Sequence, residues 1–272
     1  MSKMKTKLWV GVGAFVLAGA QVSVHDNGHV VDFAASNAWA ASQGGEGGEG
    51  GEGGEAGKEK VASLAERKIE FLKALTLVEG HLLAGAELYK SGAVDAAKTH
   101  MKHPGSELVG QLRPGFKEFA APSFDASLSR MAQAVEQKKS AAEVDQAFKA
   151  VQADIQRARA KVPANFQTKL TVVSQVVRTS ADEFAQGVKD NKVVNAHEYQ
   201  DAYGFVRAAL NLLESTKPQS AAQKTAIQQS QQSLNNLLVA WPTLVNEGPV
   251  TVQPSAIYGT ASNIELAASS TK

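Results

Sequence analysis

From Pro163 to Val188 the chain reads PANFQTKLTVVSQVVRTSADEFAQGV. Its apolar positions Phe166, Leu170, Val173, Val177, Ala181, Phe184 and Val188 recur at strict intervals of three or four, which lines them along one face of a helix. The same spacing continues on both sides. Upstream, Ser140 and Glu143 form a capping-box signature before Val144, Ala147, Val151 and Ile155. Ahead of these, Ala121-Pro122-Ser123 opens a helix through Phe124, Leu128, Met131 and Val135. Downstream, Asn195 and Glu198 cap a helix through Tyr199, Ala202, Phe205, Ala209 and Leu212. After Lys217-Pro218, a Gln-rich helix presents Ile227, Leu234, Leu237 and Leu238 and stops near Trp241-Pro242. No strand-like alternation competes with these helices. The expected fold is an all-α antiparallel helical bundle with a disordered Gly/Glu-rich N-terminal linker.

The first helix, expected from Lys60 to Lys90, is unusual. Phe71, Leu72, Leu75, Leu77, Val78, Leu82, Leu83, Leu88 and Tyr89 surround its axis, as in a helix enclosed by others. Glu79 and His81 therefore point inward on roughly opposite sides. A buried carboxylate must be paired, protonated or bound to a cation, because leaving it charged and alone costs several kcal/mol. Ser91-Gly92 ends this helix. A second, shorter one begins at Ala93 with Val94, Ala97 and Met101 on one face, and is expected to break at His103-Pro104-Gly105 and again at Arg113-Pro114-Gly115.

Composition removes several classes of function. The net charge of +1 and the lack of a basic cluster interleaved with aromatics argue against nucleic-acid binding. The absence of cysteine excludes disulfides, thiolate metal sites and thiol catalysis. No phosphate-binding glycine loop, Gly-x-Ser-x-Gly elbow, His-Glu-x-x-His or paired Glu-x-x-His is present, so no enzyme activity is expected. Lys3, Lys5 and Lys7 precede an apolar run from Leu8 to Ala20, a secretory pattern too short for a comfortable membrane span. Small-x-small cleavage sites lie at Ala18-Gly19-Ala20 and Ala38-Trp39-Ala40; an uncleaved anchor is the alternative. The expected organisation is a signal peptide over residues 1–40, a flexible Gly-Gly-Glu linker over 41–59, a helical bundle over 60–247 and an irregular Pro/Ser/Thr-containing tail over 248–272. The expected location is periplasmic or otherwise exported.

Three of the six histidines fall between Leu72 and Glu107. Helices joined by a short turn pack antiparallel, so His81, ten residues before the Ser91-Gly92 turn, comes level with His100 to His103. With Glu79 or Glu107 as oxygen ligands, these histidines make a nitrogen and oxygen donor set suited to a transition metal ion such as iron, copper or zinc. The candidate metal residues are thus Glu79, His81, His100, His103 and Glu107. His197 starts a later helix and reads as a surface residue, whereas Tyr199, Asp201 and Tyr203 could join a site only if that helix packs nearby. Met101 reads as core. Without Cys-x-x-Cys-His a c-type haem is excluded, while a haem held non-covalently between helices is not.

Glu79-Gly80-His81 with His100, His103 and Glu107, and the segment Glu198-Tyr199-Gln200-Asp201-Ala202-Tyr203-Gly204-Phe205, resemble periplasmic imelysin-like and iron-permease-associated helical iron-uptake proteins. The imelysin pattern glycine-x-histidine-x-x-glutamate is not met, because Gly80 directly precedes His81 and position 84 is alanine. The resemblance implies a helical protein that captures or delivers a metal, iron first and copper second, to a membrane transporter or other envelope protein. The alternatives are a helical interaction module without metal, associating with a partner or itself through the Gln-rich helix Ala221 to Ala240, and a haem or small-molecule carrier.

Overall fold

The computed structural model describes residues 62–271. The signal peptide and Gly-Gly-Glu linker expected before them lie outside the described residues. Eight α-helices follow in order: α1 (Leu64–Lys90), α2 (Val94–Glu118), α3 (Asp125–Glu136), α4 (Ala141–Arg159), α5 (Phe166–Gly187), α6 (Ala196–Glu214), α7 (Ala221–Leu237) and α8 (Pro254–Ser270). The fold is all-α. Its described strands are the two-residue β1 (Val188–Lys189) and β2 (Lys192–Val193), an antiparallel hairpin joining α5 to α6. Asp190 and Asn191 turn it with φ of 50° and 59°, the left-handed backbone that tight hairpins require and that these two residue types tolerate. None of the described helices is long and apolar enough to cross a membrane.

Local signals set most of the boundaries. Ser63 with Glu66, and Ser140 with Glu143, form complete capping boxes at α1 and α4, while Asn165, Asn195 and Ser220 accept backbone N–H groups at the starts of α5, α6 and α7. Gly92 ends α1 at a φ of 87°. The α1 helix is buried from Phe71 to Tyr89 on nearly all sides, packed against α2, α4, α5 and α6.

Two expectations are corrected. The breaks at Pro104 and Pro114 do not occur, and α2 runs through both prolines. Each proline removes one N–H from the ladder, but Ala97, Met101, Leu108, Val109, Leu112 and Phe116 are all buried along this one helix. That burial outweighs two missing bonds. Nor is the C-terminal segment irregular, since residues 254–270 form α8 with Pro254 in its first turn, where proline is favoured. Its buried positions Ile257, Thr260, Ala261, Ile264 and Ala268 keep helical spacing and face α5 and α7. Small residues on that face let the backbones approach, and Ser174 Oγ of α5 donates to the Ala261 carbonyl at 2.9 Å. Val250 donates its N–H to the Asn191 carbonyl of the hairpin at 2.8 Å.

The crossing of α1 and α6 is made glycine on glycine. A Cβ at Gly204 would sit 2.2 Å from the Gly80 carbonyl oxygen, and one at Gly80 would meet the Phe205 ring at 2.5 Å. Gly204→Ala must therefore push the two helices apart. Overpacking of this kind costs about 1–3 kcal/mol, so chemical denaturation of G204A should show that loss, while Gly110→Ala, where added atoms meet open space, should not be destabilised.

Candidate metal centre

The α1–α6 crossing decides what meets next to it. His81 follows Gly80 on α1, and Asp201 precedes Gly204 by three residues on α6, so the two side chains are brought together. His81 Nδ1 lies 2.5 Å from Asp201 Oδ1, and the His81 ring stands edge-on to Phe205 with centroids 4.9 Å apart. The short Ser91-Gly92 turn then returns the chain along α1 as α2, bringing His100 level with His81. His100 Nδ1 reaches the same Asp201 Oδ1 at 2.9 Å. His81, His100 and Asp201 are all buried, at 8%, 0% and 2% exposure.

The second nitrogen of His100 is also committed. Gln200 Nε2 donates to the Leu244 carbonyl at 3.0 Å, which orients the amide so that its Oε1 faces His100 Nε2 at 2.8 Å. His100 Nε2–H therefore donates to Gln200, and Nδ1 is the nitrogen directed at Asp201. A histidine whose far N–H is held by a carbonyl in this way is oriented for coordination through the other nitrogen. Gln200 is a positioning residue for that arrangement.

Asp201 carries a second set of neighbours. Its Oδ2 lies 3.4 Å from His197 Nδ1, and the same nitrogen lies 3.7 Å from Glu198 Oε2. The His197 ring stacks on His100 with centroids 4.6 Å apart and planes 8° from parallel. Glu183 on α5 completes the group by standing beside Glu198. The Gly187 carbonyl accepts the N–H groups of Val194 and Asn195 at 2.8 and 3.1 Å, tying the end of α5 to the start of α6 and keeping these two glutamates together.

These carboxyl groups affect one another. Burial alone would raise Asp201, but His81 and His100, through charge and hydrogen bonds, hold it well below its ordinary value. His197 and the neighbouring Glu183 hold Glu198 low against its own burial. Glu183 is pushed up to about 8, first by burial and then by the charge of Glu198, with Asp201 and Asp182 adding to it.

The sequence-derived candidates thus separate. His81 and His100 meet as their depth along the helices required. Glu79 is elsewhere, bonded through Oε2 to Arg159 Nη2 at 2.8 Å and through Oε1 to Asn211 at 3.0 Å, a buried ion pair that also engages Thr76. His103 and Glu107 lie on α2, and their side chains are outside the described residues. Met101 packs in the core against Gly85, and Tyr199 gives its hydroxyl to the Ala240 and Thr243 carbonyls. Asp201, which the sequence offered only as a conditional contributor, is the centre of the group. The helical glycines Gly80 and Gly204, each close to a polar residue on an otherwise apolar face, are the signal that could have marked it.

Residues 159–271 match the model of the iron permease-associated 4-helix bundle domain. The match spans α5 to α8, so the expected iron-permease-associated resemblance holds over these four helices. It includes α8, where an irregular tail was expected. Comparison with curated proteins and with solved structures finds no match. Glu183, His197, Glu198, Gln200 and Asp201 lie within the matched segment, whereas His81 and His100 come from α1 and α2 before it.

The raised Glu183 makes a sign prediction for the ion-free protein. Between the ordinary carboxyl value of about 4.3 and about 8, the folded chain holds a proton that the unfolded chain has lost, so stability falls as pH rises across that window. Glu183→Gln should melt at a higher temperature than wild type at pH 8 and at the same temperature near pH 4, measured in chelator-treated protein.

Proposed function

We propose that this chain is an exported helical protein that captures a transition metal ion, iron ahead of copper, and passes it to a membrane transporter, with His81, His100 and Asp201 as the buried ligands. The observation that carries this reading is the convergence of two imidazole nitrogens on one oxygen of a buried carboxylate. The three donor atoms lie within 4.8 Å of one another. An ion among them replaces the protons through which they now interact, so the donor set exists before the ion arrives and uptake releases protons.

The donor chemistry narrows the cargo. Imidazole nitrogen with carboxylate oxygen suits iron, copper and zinc, whereas calcium and magnesium prefer all-oxygen sites. The match of α5 to α8 to an iron permease-associated domain puts iron first. Export is supported by the three lysines and apolar run at the N-terminus and by the transport role of the matched domain. Glu79 is not among the proposed ligands, because Arg159 and Asn211 already satisfy both of its oxygens.

Elemental analysis of protein exported by its native host, with circular dichroism to establish folding, tests this reading. Wild type should carry stoichiometric iron or copper, and a His81→Ala/His100→Ala/Asp201→Asn variant should carry neither. Metal-free wild type, or full metal content in a folded triple variant, would refute the proposal. Two further variants sharpen it. Glu79→Gln should keep its metal yet be less stable, since weakening a buried ion pair from one side is costly, by about 3–5 kcal/mol for full loss of a partner. Gln200→Leu should keep its fold and lose about 10- to 100-fold in metal affinity, the usual effect of removing a residue that orients a ligand.

A further inference from the structure

The two oxygens of Asp201 face different partners. Oδ1 meets His81 and His100, while Oδ2 meets His197, beside which stands Glu198. Each side forms its own three-residue donor set, His81, His100 and Asp201 on one and His197, Glu198 and Asp201 on the other, with donor atoms inside 4.8 Å in both. The sets differ in access. The first is buried, whereas the side chains of His197 and Glu198 retain 28% and 26% exposure.

Charge distinguishes the sets as well. The buried set offers a single carboxylate to balance an ion. The outer one adds the carboxylate of Glu198. The two carboxylates of Glu198 and Asp201 together offer more negative charge than the buried set has alone. A carboxylate that gives one oxygen to each of two adjacent ions is the basis of two-metal sites, where the ions stand about 3.5–4 Å apart. The stacked His100 and His197 rings place one imidazole on each side of such a bridge.

Building on the capture reading above, we propose that the site holds two transition-metal cations at once, bridged by Asp201, with His197 and Glu198 forming an outer loading position and His81 and His100 an inner holding position. An incoming ion binds first at the partly exposed outer set. It then moves inward by exchanging one oxygen of Asp201 for the other, remaining bound to the protein throughout.

Anaerobic titration of the metal-free protein with ferrous ion, counted by equilibrium dialysis, tests the proposal. Wild type should bind two equivalents. A His197→Gln/Glu198→Gln variant should bind one and fill it at least ten times more slowly, and a His81→Ala/His100→Ala variant should bind one more weakly. A measurement on wild type alone makes the test independent of variant folding. Loaded with two equivalents of Mn(II), it should give an exchange-coupled electron paramagnetic resonance spectrum in place of the signal of isolated ions. One equivalent in wild type, undiminished in the outer variant, would overturn the two-position proposal and leave the capture reading standing. Two equivalents with uncoupled spectra would overturn the shared carboxylate. No binding in wild type would overturn both readings.

Discussion

The contact between Gly80 and Gly204 is the constraint on which the polar centre depends. Two helices with side chains at their crossing point stand about 8–10 Å apart. Here a single added carbon at Gly204 would lie 2.2 Å from the opposing carbonyl oxygen, so the backbones are in direct contact. Only at that spacing does a histidine next to one glycine reach an aspartate one turn from the other. The 2.5 Å approach of His81 to Asp201 is thus a consequence of two missing side chains. The short turn at Gly92 then supplies His100 from the next helix.

The core contains two buried carboxylates, satisfied in opposite ways. Glu79 faces a guanidinium that keeps its charge at any physiological pH, with an amide on its other oxygen. That arrangement is closed, because an incoming cation would have to displace Arg159 and strand a buried positive charge. Asp201 faces imidazoles, whose protons a metal ion can replace while the same nitrogens remain bonded. Two acids on an apolar background look alike by burial. Their partners separate a structural pair from a candidate exchangeable site.

Much of the architecture was legible because it is local. The three-or-four spacing from Phe166 to Val188, the serine and glutamate of the α4 capping box and the Ser91-Gly92 stop each specify structure within a few residues. What was misread depended on distant contacts. Pro104 and Pro114 argue correctly for breaks in an isolated peptide, yet α2 stays helical through them because its apolar residues pack on α1 and α3. The Ser- and Thr-containing segment of α8 does carry apolar residues at helical spacing, Ile257, Ala261, Ile264 and Ala268, and they are buried where α8 packs on α5 and α7. At the site, the depth argument that paired His81 with His100 succeeded since a short turn constrains it. The argument that Glu79 needs a partner was also sound, but Arg159, 80 residues away, could not be chosen from the sequence. Asp201 required the α1–α6 crossing to be known.

The division of the donor set follows the division of the chain. The helices that match the iron permease-associated domain contribute an acidic face, with Glu183, Glu198 and Asp201 accompanied by the single imidazole of His197. An oxygen-dominated face of that kind discriminates poorly among hard divalent cations and iron. The preceding α1 and α2 add two imidazoles and cover Asp201 from solvent. Nitrogen ligands favour later transition metals over calcium and magnesium, and burial strengthens each charge interaction by lowering the local dielectric. If the proposed capture of a metal ion holds, the N-terminal helices enclose one edge of this carboxylate cluster, so selectivity should depend on α1 and α2 while charge attraction should depend on α5 and α6.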